Sequence, residues 1–402
     1  MSYIVLFLHK RGDWEKYIQR IIDIHSRLKS KSLFLFGPRQ TGKSSLIANQ
    51  IQDDVKLSWS LLNARTRRCQ ADPGVLRDEI GTRGIRDGLV IIDEIQKVPE
   101  LLDEVHLLIE ETDIRFLLTG SSARRLKEQG VNLLGGRAGK MNLHPFVWPE
   151  IRELHPTLDK ILKYGMIPAV FLSDTPDDFL DDYINVYLQE EIAGEGLVRQ
   201  LPKFERFLEV AALTNAEEIN YTNIASDVMM SRGSITEWYG ILYDTMIGFS
   251  VPPYTKTKKR KAVDTERFYY FDVGIVRFLM GLGDIVDTQT EYGKLFETYI
   301  AQELSAYLDY NRRKEKLSYW RTRQSSFEVD FVIGDEVAIE TKTTKIVNEK
   351  KDLRGLRALK EEGIFKKYIV VSRDSITRTT DDGIILLPWN LFLEWLWDGK
   401  II

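Results

Sequence analysis

The chain has 402 residues, 43% hydrophobic and 29% charged, and its 56 basic and 60 acidic side chains leave a formal net charge of −4. Such a length exceeds one ordinary core, and this balance excludes a disordered or fibrous chain. It also excludes a molecule whose overall charge draws in polyanions, so any nucleic-acid surface must be local.

One cysteine, Cys69, excludes a disulfide framework or a cysteine-rich metal site and agrees with a reducing, cytoplasmic setting. The apolar run Tyr3–Leu8 lacks a preceding basic region and falls far short of the about 20 residues that cross a bilayer. It reads as an opening strand or packing segment, and no membrane role is expected. From there to about residue 150, apolar runs alternate with helical patterns, as in a parallel α/β domain, with strands expected at Leu33–Phe36, Ser58–Leu62, Leu89–Ile92 and Ile114–Leu118.

The first of these runs into Gly37-Pro38-Arg39-Gln40-Thr41-Gly42-Lys43-Ser44, which fits G-x-x-x-x-G-K-[ST] at every fixed position, with Ser45 next in the following helix. Gly37 and Gly42 let the backbone curl so that successive N–H groups point inward, and the helix adds its positive N-terminal end. The result is a phosphate cradle for ATP, in which Lys43 neutralises the β- and γ-phosphates and the Ser44 hydroxyl holds Mg²⁺. The third apolar run ends in Asp93-Glu94. Asp93 is the candidate metal-side acid and Glu94 the base that aligns the attacking water. The fourth leads into Thr119-Gly120-Ser121-Ser122, where Thr119 or Ser121 senses the γ-phosphate unless the segment is a plain turn. Arg124, Arg125 and Arg137 follow. Arg137 is the candidate for an arginine supplied across a subunit boundary, which needs a homo-oligomer; a solvated surface arginine is the alternative.

Beyond this region the strand signal fades. Phe179–Glu191 and Phe204–Leu213 are spaced as amphipathic helices, and two shorter helices around Ile224 and Tyr239 flank a turn at Met230–Gly233. That order predicts a helix-turn-helix with Arg232, Ser234, Thr236 and Glu237 outward and Trp238 and Tyr239 in the core. Pro252–Lys261 reads as a loop or hairpin arm, and its Lys256, Lys258, Lys259, Arg260 and Lys261 either grip DNA phosphates or form a solvated loop of a protein-docking module.

Leu295–Leu308 predicts a helix, followed by strands at Leu317–Arg323, Phe327–Ile333 and Val337–Lys342. Alternation sets Asp330 apart from the apolar face of its strand, and does the same for Glu340 and Lys342. Both apolar faces meet one core only if antiparallel pairing puts Asp330 opposite Glu340, with Gly334-Asp335-Glu336 as the loop; a two-residue turn would bring Ile339 there instead. Adjacent carboxylates repel unless a cation or proton separates them, which favours a Mg²⁺ or Mn²⁺ site, with Lys342 to orient water or steady a phosphate. Glu297 on the preceding helix is a further candidate ligand. Nearby Arg312, Arg313, Lys314, Lys316, Arg321 and Arg323 either guide phosphates or make a soluble surface. The histidines at 9, 25, 106, 144 and 155 show no paired ligand spacing.

The stretches GPRQTGKS, LVIIDEIQ, FLLTGSSA, GGRAG and NLHPFVWPEI together resemble the archaeal and bacterial AAA-type ATPases of the extended superfamily whose core is fused to a C-terminal domain of unknown function. The likeness continues through Tyr164–Pro168, Tyr183–Glu191 and Phe271–Gly274. It implies an α/β P-loop ATPase core at 1–150, a helical lid or linker at 151–203, a winged helix at 204–283 and a nuclease-like α/β domain at 284–402. Glu297, Asp330, Glu340 and Lys342 resemble the E…D…E-x-K pattern of restriction-type nucleases, with Val329 where a proline often precedes the aspartate. Such a domain either cuts or has kept only its fold. The expectation is a Mg²⁺-dependent ATPase acting on DNA, or else a nucleotide-gated switch that binds a protein partner.

Overall fold

Strand β1 (Ser32–Phe36) is buried along its whole length, as a near-continuous apolar run in the middle of a parallel sheet must be. The computed structural model describes residues 17–51, 55–122, 124, 126, 134–188, 200–324 and 327–402. The Tyr3–Leu8 run, His9, Arg125 and the end of the Phe179–Glu191 stretch lie outside them.

The chain divides into two compact units, one made of Met1–Pro145 with Asp244–Met246 and the other of the remainder. In the first, β1 joins β2 (Val55–Ser60), β3 (Asp87–Asp93), β4 (Asp113–Gly120) and β5 (Ala138–Asn142) in the order β2-β3-β4-β1-β5, every pair parallel. The second strand ends earlier than the expected Ser58–Leu62, because the Leu61 N–H turns to the Asp93 carbonyl at 3.0 Å and Leu62 is left 57% exposed. Strand β5 was not foreseen, since Ala138-Gly139-Lys140-Met141-Asn142 has no apolar run; it is an edge strand held by its ladder to β1.

Helices α1 (Ile24–Leu28), α2 (Lys43–Gln50), α3 (Val75–Thr82) and α4 (Leu101–Glu111) accompany this sheet. Helix α4 buries Leu101, Leu102, Val105 and Leu108, a stripe at helical spacing that joins Phe34, Phe36, Val90, Ile92, Phe116 and Leu118 in the core. Asp244–Met246 complete the unit: Met246 packs against that core, and the Ser122 hydroxyl donates to the Asp244 carbonyl at 3.2 Å.

The second unit includes α5 (Leu158–Tyr164) and α6 (Pro176–Asp182), which widens into a π turn at Tyr183–Leu188 where the sequence predicts an unbroken helix. Asp272 stitches the next part together. Its carboxylate accepts from the N–H of Met166 at 2.7 Å and of Gly274 at 2.9 Å, and a side chain on Gly165, at φ 75°, would strike it. Helices α7 (Leu201–Leu213), α8 (Tyr221–Val228) and α9 (Arg232–Asp244) lead into the antiparallel pair β6 (Gly248–Val251) and β7 (Arg267–Tyr270). Trp238 and Tyr239 are core residues, as expected, packing on Phe204 and Phe207 at ring separations of 5.2 and 5.0 Å.

After α10 (Val273–Leu279) and the long α11 (Thr290–Tyr310), strands β8 (Leu317–Arg321), β9 (Glu328–Ile333), β10 (Val337–Lys342), β11 (Lys367–Ser372), β12 (Arg378–Thr379) and β13 (Ile385–Pro388) form a mixed sheet ordered β12-β13-β11-β10-β9-β8. The β9–β10 register pairs Val337 with Ile333 and Ile339 with Phe331, the one predicted. Helices α11 and α12 (Arg354–Lys360) both pack against this sheet, so β9 and β10 are buried nearly throughout and do not alternate. Helix α13 (Trp389–Trp397) closes the chain.

Candidate nucleotide-binding site

The loop between β1 and α2 is shaped by steric necessity. A side chain on Gly37 would come within 2.5 Å of the Leu143 carbonyl, Gly42 sits at φ 90°, and Gln40 adopts φ 60°. The first turn of α2, starting at Lys43, therefore opens onto the loop with amides that have no intrahelical acceptor, and Ser44 and Ser45 are exposed on it. The Lys43 ammonium folds back onto its own loop, donating to the carbonyls of Gly37 (2.5 Å) and Pro38 (3.0 Å), while the Thr41 hydroxyl donates to Pro38 at 2.8 Å.

Strand β4 lies between β1, which leads into this loop, and β3, which ends in Asp93 and Glu94. The Thr119 hydroxyl at the end of β4 donates to Asp93. Burial raises the Asp93 carboxyl above its ordinary value; Thr119 and the charge of Lys43 draw it part of the way back. Glu94 takes the left-handed conformation, φ 61°, and its carboxylate accepts from the Gln96 amide at 2.5 Å. That amide also donates to the Ser121 hydroxyl at 3.1 Å. The structure thus gathers the loop, both acids and both polar residues of the β4 end.

Two participants were missed from sequence. Arg20, 4% exposed, donates to the Thr41 carbonyl at 2.7 Å and to the carbonyls of His144 (2.7 Å) and Pro145 (3.1 Å), bracing the loop from beneath with a positive charge. Gln96 is the other. Arg20 belongs to no spacing pattern, and Gln96 closes the LVIIDEIQ stretch without a role read for it; the fold shows what each touches. Arg137, in contrast, pairs with Glu110 of α4 at 2.5 Å, with both side chains well exposed.

In the C-terminal sheet, Asp330 and Glu340 are each 7% exposed. The β9–β10 ladder stops beside them because the Thr341 N–H and hydroxyl both donate to Asp330, each at 2.7 Å. Lys342 donates to Glu340, whose second oxygen is buried without a partner. Glu297 accepts from Tyr269 at 2.6 Å and from Arg267 at 3.2 Å, and the same guanidinium binds Glu328. Burial and the Asp330 charge push Glu297 up to about 8 and Glu340 well above the carboxylate range. Burial alone would lower Lys342, but Glu340 and Asp330 outweigh it and raise it.

Glu297, Asp330 and Glu340, the three carboxylates proposed as ligands, are all hydrogen-bonded within the chain. Among the described residues no group of three acidic, histidine or cysteine side chains is arranged to hold a metal. Arg267 donates to Glu297, Thr341 to Asp330 and Lys342 to Glu340, while the second Glu340 oxygen stays without a partner.

The basic loop between β6 and β7 is likewise occupied. Lys256 pairs with Asp335 at 2.8 Å and Arg260 with Glu361 at 2.7 Å, while the backbone N–H groups of Lys258, Lys259 and Arg260 all donate to Glu362 at 2.8–3.0 Å. Lys258 and Lys261 remain on the rim of a groove of about 470 Å³ shared with Thr255 and Arg323. Arg321 and Arg323 are paired with Glu218 and Asp264. Along α9, Arg232, Thr236 and Glu237 are exposed and Ser234 is half-buried.

Comparison with known proteins agrees with the first unit's geometry. Residues 29–152 match the family model of an AAA domain, and 155–285 and 292–392 match two domains of unknown function, DUF8612 and DUF4143. An uncharacterized protein of Mycobacterium tuberculosis is 22% identical over 332 residues, covering 80% of this chain and 72% of its own. One of Methanocaldococcus jannaschii is 22% identical over 447 residues, covering 96% and 89%. A solved structure of the Aeropyrum pernix Orc1 protein in complex with DNA is 14% identical, covering 62% of this chain and 86% of its own, at a TM-score of 0.24, too low to carry an argument. Among the described residues no helix is long and apolar enough to cross a membrane. The family match falls on the residues that build the phosphate loop and its two acids, so residues 29–152 are similar to an AAA domain.

Proposed function

We propose that the chain is a Mg²⁺-dependent ATPase that hydrolyses ATP at the β1–α2 loop and acts on DNA through the helices that follow. The observation that supports this best is the meeting of the loop with Asp93 and Glu94, each hydrogen-bonded to a polar side chain that also touches or lies on the end of β4. The loop amides and the α2 N-terminus receive phosphate charge, and Lys43 exchanges the Gly37 and Pro38 carbonyls for phosphate oxygens. Ser44 and Asp93 offer a hydroxyl and a carboxylate, the hard oxygen donors that suit Mg²⁺, and the raised Asp93 carboxyl is a charge that a cation would stabilise. When bound, the ion neutralises charge on the β- and γ-phosphates. Glu94 aligns the water and takes its proton as the water oxygen bonds to the γ-phosphorus and the bond to the β-phosphate oxygen breaks. Arg137 serves this site only from a neighbouring copy, after leaving Glu110.

Calorimetry and turnover test the reading together. Lys43→Ala abolishes binding of an ATP analogue, whereas Glu94→Gln keeps it and loses at least about 100-fold in turnover. Turnover unchanged in both overturns it.

For DNA, support comes from the order α7, α8, α9 and then the β6–β7 hairpin, which is that of a winged helix, with α9 presenting Arg232, Thr236 and Glu237. The C-terminal sheet is read as a nuclease-like fold that binds without cutting. A second reading, a nucleotide-gated switch that docks a protein, is favoured by the tethering of the basic loop to Asp335, Glu361 and Glu362. DNA-stimulated turnover separates the two.

A further inference from the structure

Gln96 lies in the short turn Ile95–Lys97 directly after Glu94 and is only 5% exposed. A carboxylate and a side-chain amide can meet only through the amide N–H, so contact with Glu94 fixes which way the amide points. Its carbonyl oxygen is then buried without a partner, against Gly120, where any side chain would strike it. Glu94, Gln96 and Gly120 therefore specify one another: a left-handed backbone at the acid, a buried amide beside it and a bare position on β4.

The consequence lies in what the amide connects. The end of β4 is bonded to both acids, to Asp93 directly through Thr119 and to Glu94 through Ser121 and Gln96. We propose that Gln96 is a positioning residue for hydrolysis, coupling the Glu94 carboxylate to Ser121 so that a phosphate arriving at the end of β4 sets the position of the residue that aligns water. This rests on the ATPase reading above. A carbonyl left without a donor marks an arrangement that can be remade, since moving the amide sacrifices no bond at that atom.

The experiment measures ATP turnover and ATP-analogue affinity in the full chain. Gln96→Leu is expected to keep the dissociation constant within about threefold and to lose at least about tenfold in kcat. Gly120→Ala, which displaces the amide without altering its chemistry, gives the same split between binding and turnover. Adding Ser121→Ala to Gln96→Leu slows turnover no further, because both changes break one connection; a purely structural role gives additive losses. Wild-type turnover in Gln96→Leu, parallel losses of affinity and kcat, or additivity with Ser121→Ala overturns the proposal. If Gln96→Leu shows no cooperative thermal transition, Gln96→Glu, which sets a second carboxylate against Glu94, decides by the same split. A wild-type chain that binds the analogue without hydrolysing ATP sinks the ATPase reading itself, and the proposal with it.

Discussion

Asp272 shows what one buried carboxylate costs and contributes. Burial pushes it up to about 6, although the N–H groups of Met166 and Gly274 pull in the other direction. Since the folded value lies above the unfolded one near 3.8, the native state holds the extra proton between them. Its stabilising contribution is thus complete below the unfolded value and is lost as pH rises through about 6. Asp272→Asn keeps one acceptor but turns an amide N–H toward the other donor, so it destabilises at any pH. Its cost measured by urea unfolding is expected to be about 2 kcal/mol larger at pH 4.5 than at pH 7.5. At this scale the sequence was legible wherever chemistry follows spacing: the phosphate loop, Asp93 and Glu94 stand in one motif each. Arg20 and Gln96 were not legible, because what matters in them is a carbonyl or a hydroxyl that the fold brings from far along the chain.

Among the elements, the β9–β10 hairpin was readable to the residue because period-two alternation and a shared core leave one register. Its surroundings were not, since helices covering the sheet make buried polar positions look like surface ones. Helix α12 approaches β9 so closely that a side chain on Gly355 would strike the Glu328 carbonyl. Gly355→Ala is expected to destabilise the chain by about 1–3 kcal/mol in denaturant unfolding, despite alanine's higher helix propensity. Strand β5 and the π turn at Tyr183–Leu188 escaped sequence reading for the opposite reason: their local composition states no preference, and tertiary pairing or packing decides.

For the whole molecule, the small net charge means that the proposed DNA affinity would have to come from a few cations, and the basic loop has fewer to offer than its sequence suggests. Lys258 and Lys261 are the ones facing the groove beside Arg323. If DNA binds there, replacing both by alanine lowers the steepness of log affinity against log salt by about 1.8, one contact's worth for each phosphate lost. An unchanged slope favours the protein-docking reading. The pairing of Asp244–Met246 with a unit that otherwise ends at Pro145 has a separate bearing on how the polypeptide can be divided. A fragment halted near that proline would leave Ser122 short of its acceptor and bare the apolar floor beneath Met246. The AAA-like unit is thus completed by a segment that returns about a hundred residues later, and a cut after Pro145 takes that segment's packing away.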